Sequence, residues 1–212
     1  MSRVAYFLDF EFDTENAAFY PRPETELLVE KAVGFLPERF SGNILDIGTG
    51  CGNIAISLTK YIPSCRITAL DISDTALRAA RQNAAKYGTA DRIEFVRSDL
   101  FEGLCEKYVD FFDLIVTNPP YVSRSDFTSL PMGVKDDPYI ALYGGPDGTD
   151  CYRKIIGNAP HFLKKNGILL MEIGYNQSES VRGMLVESGS FFEIVTYKDY
   201  SGIERIIKAR RI

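Results

Sequence analysis

The chain has 212 residues, 45% of them hydrophobic and 25% charged, with a net charge of −5 and a pI near 5.1. That length supports one good-sized domain with its own core, and the acidic balance counts against a nucleic-acid backbone as the main partner. No apolar run approaches the roughly 20 residues that span a bilayer, and the start MSRVAYFLDFEFD lacks the basic stretch, apolar core and cleavage site of a signal peptide.

In chain order, residues 4–13 alternate in the manner of a strand, of the kind found at a sheet edge. Residues 21–40, PRPETELLVEKAVGFLPERF, set proline and acid ahead of Leu27, Leu28, Ala32, Phe35 and Leu36 at helical spacing. A repeating rhythm follows. NILDIGTGCGNIAISLTKYI reads as strand, glycine turn and helix. CRITALDISDTALRAARQNAAKYG reads as strand, acid and helix, with Ser73 or Asp74 as cap. RIEFVRSDLF is strand then acid, and FFDLIVTNPPY is strand then Asn-Pro-Pro-Tyr. After a long loop, 122–149, CYRKIIGNAPHFLKKNGILLMEIG predicts a helix and an apolar strand, and NQSESVRGMLVESG a polar-faced helix. FFEIVTYKDYSGIERIIKARR predicts two more strands, with KARR as a solvated tail.

Strands alternating with helices imply right-handed crossovers and a mostly parallel sheet, hence one doubly wound α/β domain. A loop as long as 122–149 at the carboxyl edge of such a sheet is expected to cover a ligand. Cys51, Cys65, Cys105 and Cys151 are widely spaced and accompanied by a single histidine, His161, so no zinc site is expected. Reduced thiols in a cytoplasmic protein are the plain reading. Cys51 has no His or Asn partner that would make it a nucleophile.

LDIGTGCGN carries Gly48, Gly50 and Gly52 in the first strand-to-helix turn, where glycine lets the backbone approach a ligand and a helix N-terminus face it. The spacing is G-x-G-x-G, one residue short of the dinucleotide fingerprint G-x-G-x-x-G. Asp71 ends the second strand of this rhythm, about 20 residues on, where a carboxylate accepts both hydroxyls of an adenosine ribose. Asp99 ends the third, beside Leu100 and Phe101, suited to an adenine edge, and Asp46 stands where it can face an ammonium. Negative charge around this turn disfavours a pyrophosphate and suits S-adenosylmethionine, which brings a ribose, an adenine, an ammonium and a sulfonium.

At this point the chain resembles a known family. LDIGTGCGNIAISL is similar to the first motif of class I S-adenosylmethionine-dependent methyltransferases, and NPPY to the motif of those that methylate a planar nitrogen. YPRPETELLVE (20–30) and DPYIALYGGPDGTDCYRKII (137–156) resemble segments of the bacterial glutamine-N5 methyltransferases of peptide-chain release factors, the HemK/PrmC family. Asp137 stands where that family usually has Glu. The resemblance implies a Rossmann-like class I methyltransferase fold: a seven-stranded, mostly parallel sheet with helices on both faces and an antiparallel last strand. It implies S-adenosylmethionine held by Gly48, Thr49, Gly50, Cys51, Gly52, Asp71, Ile72, Asp99, Leu100 and Asn118, and catalysis by Asn118, Pro119, Pro120 and Tyr121, with no metal. Family members usually carry an N-terminal helical domain that docks the release factor. Nothing here corresponds to it, so residues 1–20 read as a remnant of the linking strand or hairpin and 21–212 as the catalytic domain.

An amide nitrogen is a poor nucleophile because its lone pair is delocalised into the carbonyl. Acceptors that hold its N–H bonds out of conjugation, and bind more strongly as the nitrogen pyramidalises, are catalytic. Asn118 Oδ1 and the Pro119 carbonyl are suited to that work, and Tyr121 to stacking on the substrate amide. Arg22 and Glu24 are candidates either for ordering the pocket and bracing the Asn-Pro-Pro-Tyr loop or for capping and ion pairing. The competing readings are a methyltransferase of an exocyclic nucleobase nitrogen in DNA or RNA and a noncatalytic S-adenosylmethionine-binding subunit. The first would need a basic, aromatic nucleic-acid surface that the sequence does not show; the second would have no use for an intact Asn-Pro-Pro-Tyr.

Overall fold

The computed structural model describes residues 4–14, 20–130, 134 and 137–212. Residues 4–13 form a hairpin of β1 (Val4–Phe7) and β2 (Phe10–Asp13) instead of one strand. The reversal falls at Leu8, whose φ of 50° is left-handed, and Glu26 holds the turn by accepting the Leu8 amide at 2.8 Å. Alternation still governs the faces: Ala5, Phe7 and Phe12 are buried, and Phe10 packs edge-on against Tyr61 and Tyr87.

Helix α1 (Pro23–Phe35) begins with proline in its first turn and Glu24 and Glu26 against its positive end, and stops just before Pro37. The glycine turn joins β3 (Asn43–Ile47) to α2 (Asn53–Tyr61), and β4 (Arg66–Asp71) leads to α3 (Asp74–Lys86). Ser73 caps α3 by accepting the Ala76 amide at 3.2 Å. There follow β5 (Ile93–Arg97), β6 (Phe112–Thr117), α4 (Asp150–Phe162), β7 (Leu163–Glu172), α5 (Ser178–Glu187), β8 (Phe191–Lys198) and β9 (Glu204–Arg211). The loop 122–149 includes the short helical turns Arg124–Phe127 and Tyr139–Leu142.

The seven-stranded sheet runs β5-β4-β3-β6-β7-β9-β8. Neighbours from β5 through β7 are parallel, and the last strand, β9, is antiparallel to both of its neighbours. The central strands are buried on both faces, as crossover helices require. Ile44, Leu114, Val116 and Leu170 face a core built with α1, α2 and α3. Leu45, Ile47, Ile115 and Leu169 face a second core built with Tyr152, Ile155 and Val181 of α4 and α5.

KARR is not a solvated tail. It belongs to β9, with Ala209 1% exposed, Lys208 laid over the Phe35 ring, and Arg211 paired with Asp110 and the Leu163 carbonyl. Its basic heads lie outside the sheet while its backbone pairs with β7 and β8.

Candidate active site

The chain leaves β3 and β6 toward opposite ends of the sheet. Ligands of open α/β sheets bind in the crevice that such a reversal opens at the carboxyl ends of the strands. Here the crevice is a cavity of about 510 Å³.

One wall is the glycine turn. Gly48 and Gly50 have φ of 74° and 58°, backbone that most side chains resist. A Cβ on Gly50 would meet nothing within 4 Å, and one on Gly48 only the Asn118 carbonyl at 3.9 Å, so both leave room for a ligand. Thr49 lines the same wall, with its hydroxyl donating to Asp46 Oδ2 at 2.7 Å. Gly52 and Cys51 lie behind it. A Cβ on Gly52 would press Ile56 and Ala80 at 3.0–3.2 Å, so its smallness seats α2 against α3. The Cys51 side chain is fully buried, and burial pushes its thiol up to about 12, which leaves it inert. Neither residue lines the cavity; both pack beneath the turn.

Asp71, Ile72, Asp99 and Leu100 form the adjoining wall. Asp71 accepts the Gly50 amide at 2.9 Å and the Ser73 amide at 2.9 Å, one on each oxygen. Each oxygen keeps a further lone pair for a hydroxyl from the cavity. Burial holds its carboxyl above the ordinary range, against those amides, which lower it. Leu100 sits at φ 48°, an uncommon conformation for a leucine, beside buried Phe101 stacked on Phe162. Asp46 does not face the cavity. It is fully buried inside β3, where burial, aided by the Asp71 charge and opposed by the Thr49 hydroxyl, raises it to about 7.

Facing the glycine turn stand Asn118, Pro119, Pro120 and Tyr121. Ile47 pairs with Thr117, and the Thr117 hydroxyl donates to the Ile47 carbonyl at 2.8 Å, which fixes the two strand ends side by side. Asn118 Nδ2 donates to Thr25 Oγ1 at 3.0 Å, and Thr25 donates to Glu172 Oε2 at 2.7 Å. Glu172 is raised to about 7 by burial, with the Thr25 hydroxyl and Arg205 pulling the other way. Burial likewise raises the Tyr121 phenol, helped by the Glu172 charge. Arg22 and Glu24 both line the cavity, and Arg22 makes an ion pair with buried Asp137, tying the start of α1 to loop 122–149. That loop lines the mouth with Ile140 and Tyr143, and Tyr143 is stacked on Tyr139 at 5.0 Å. Sequence reading did not single out Thr25 or Glu172. A lone acid in the apolar run LLMEIG was the available signal for Glu172.

Two carboxyls raised to about 7 make a pH prediction. The folded chain keeps protons on Asp46 and Glu172 that the unfolded chain releases near pH 4. Their contribution to stability is therefore full below about pH 4 and is lost as pH rises through about 7, on the order of 2–4 kcal/mol each. Asp147 and Asp199, both lowered, act in the opposite sense and only at acid pH. Urea unfolding should give a lower midpoint at pH 8 than at pH 5.5; equal midpoints would show that these groups titrate normally.

Residues 23–130 match the family described as the methyltransferase small domain. The release factor glutamine methyltransferase of Moorella thermoacetica is 37% identical over 205 residues, covering 97% of this chain and 71% of that protein. That of Rhodopirellula baltica is 36% identical over 210 residues, covering 97% and 70%. A methyltransferase from Pyrococcus furiosus of known structure superposes with a TM-score of 0.67 over 99% of this chain at 17% identity, which shows a shared fold. The identity to these relatives extends along nearly the whole chain, and the chain belongs to the release factor glutamine methyltransferase family.

Proposed function

We propose that the chain transfers the methyl group of S-adenosylmethionine to the side-chain amide nitrogen (N5) of a protein glutamine, that of the Gly-Gly-Gln motif in a peptide-chain release factor. The observation that carries this reading is the Asn118 carboxamide, anchored through its nitrogen to Thr25 at the cavity wall that faces the glycine turn. Its oxygen is thereby left for a substrate N–H.

The cavity fits the cosubstrate. Gly48 and Gly50 leave space for its methionyl end, the Asp71 carboxylate has lone pairs for ribose hydroxyls, and Ile72, Asp99 and Leu100 offer an apolar and polar edge for adenine. When bound it supplies an electrophilic methyl on a sulfonium and leaves as a thioether. Asn118 Oδ1 and the Pro119 carbonyl accept the two amide N–H bonds, favouring a pyramidal nitrogen whose lone pair forms the new N–C bond as the C–S bond breaks. The pair from that bond goes to sulfur, and the surplus proton on nitrogen goes to solvent. Tyr121 gives the amide a flat surface, and Tyr143 of loop 122–149 lines the mouth above it.

Incubation with methyl-labelled S-adenosylmethionine and purified release factor, followed by peptide mass spectrometry, tests the reading. Label on the Gly-Gly-Gln glutamine is expected; label confined to nucleobase amines of added tRNA or DNA would overturn it. Asp71→Ala should weaken S-adenosylmethionine binding by about 1.5–3 kcal/mol, the loss of charge-assisted hydrogen bonds to two hydroxyls. Calorimetry showing unchanged affinity would remove Asp71 from the ribose site.

A further inference from the structure

The geometry points to Glu172 and Thr25 as positioning residues for methyl transfer: the hydrogen-bonded chain Glu172–Thr25–Asn118 dictates which end of the Asn118 carboxamide faces the substrate. This rests on the proposed role of Asn118 as acceptor for the substrate nitrogen. A carboxamide has two nearly isosteric ends, one donating and one accepting. If the amide turned over, Nδ2 would confront the substrate NH2 group donor to donor, and no N–H would be drawn out of conjugation. Something must therefore set its polarity before substrate arrives.

Thr25 and Glu172 do so by proton counting. The Thr25 hydroxyl has one proton, and an ionised carboxylate only accepts. Glu172 Oε2, 2.7 Å from Thr25 Oγ1, takes that proton's hydrogen bond, so Thr25 offers Asn118 a lone pair at 3.0 Å. The flipped amide would set Oδ1 against that lone pair with no proton between them. Thr25 and Glu172 are 2% and 1% exposed, so no water relieves the mismatch.

A buried carboxylate at the end of β7 is otherwise expensive. Its strand neighbours Leu169, Leu170 and Met171 are fully buried and apolar. The groups around it are Glu24 of α1, Tyr121 after β6, Tyr152 of α4, whose hydroxyl donates to the Glu172 carbonyl at 3.2 Å, and Arg205 of β9. Arg205 favours the ionised form, but its hydrogen bond goes to Asp199, so Glu172 is not simply its ion-pair partner. The Glu172 carboxyl, raised to about 7 by burial, puts the switch between a locked and an unlocked amide near neutral pH.

The test uses the full chain with release factor as substrate. Thr25→Val keeps the shape and deletes the relay; kcat should fall about 10-fold or more, with S-adenosylmethionine affinity by calorimetry unchanged. Thr25→Ser keeps the hydroxyl and should retain most of the wild-type kcat. Glu172→Gln, whose amide can donate or accept, should lower kcat and erase an acid limb near pH 7 from its pH profile. Equal losses in Thr25→Val and Thr25→Ser, or wild-type kcat in Thr25→Val, would overturn the relay. If the wild-type chain does not methylate the release factor, the functional reading fails by itself. The relay is then judged by NMR of the Asn118 side-chain amide protons, identified by their absence in Asn118→Ala. They should shift in Thr25→Val and Glu172→Gln, and unmoved resonances would refute the relay.

Discussion

Asn118→Ala is expected to lower kcat by about 100-fold or more, the scale on which single preorganised polar groups act on a transition state. S-adenosylmethionine affinity should change little, because the residue's main work is on the substrate nitrogen. Its effect on folding should be small as well. The side chain is half-buried and donates to Thr25, a loss of about 1 kcal/mol and a melting shift of about 2–4 °C for a chain of this size. Activity and stability must be measured together. A collapse of the melting temperature matching the loss of turnover would mean that Asn-Pro-Pro-Tyr is only a turn that ends β6.

What the sequence made legible here is what short-range chemistry determines. Gly48 and Gly50, Asp71 at the end of β4 and Asn118 at the end of β6 each sit at a strand end marked by glycine, acid or proline, and all line one cavity. The mostly parallel sheet followed from the alternation of strand and helix. The hairpin at residues 4–13 was suggested by the family resemblance but not by the residue pattern, because no glycine, asparagine or proline marks the reversal at Leu8. KARR misled because charge was read as exposure, whereas in β9 Lys208 is itself buried and Arg210 and Arg211 are half-buried beside paired backbone. Side-chain direction inside the glycine turn was equally hidden. Cys51 and Gly52 share a motif with Gly50 yet pack into α2 and α3, since a helix starting at Asn53 turns those positions away from the crevice. The relay was out of reach for another reason: Thr25 and Glu172 lie 147 positions apart, and only the pairing of α1 with β7 brings them together.

The same long-range logic gives the largest expected loss of stability, at Gly148 in the Gly-Gly-Pro-Asp-Gly segment of loop 122–149. Its φ of 77° is left-handed, and a Cβ there would stand 2.4 Å from the Tyr121 carbonyl and 2.7 Å from Gln177 Nε2. Gln177 is the clamp on Tyr121. Its amide nitrogen donates to the carbonyls of Tyr121 at 3.0 Å and Gly148 at 3.3 Å. Its oxygen accepts the Gly174 amide at 3.0 Å and, at 3.3 Å, shares the Tyr152 hydroxyl proton with the Glu172 carbonyl. Every hydrogen-bonding position of that side chain is used, so it cannot retreat from a new methyl without leaving buried groups unsatisfied. Gly148→Ala should therefore destabilise by about 2–4 kcal/mol, combining left-handed strain, overlap with backbone and broken hydrogen bonds. That corresponds to a melting shift of about 5–15 °C. Turnover measured well below the melting range should fall as well, since the displaced carbonyl belongs to Tyr121. Gly88→Ala separates strain from collision. Its φ of 64° is just as left-handed, but a Cβ there meets nothing within 4 Å, so it should lose only about 1 kcal/mol and no activity. If the two variants melt alike and turn over alike, loop 122–149 does not brace the Asn-Pro-Pro-Tyr wall through Gln177.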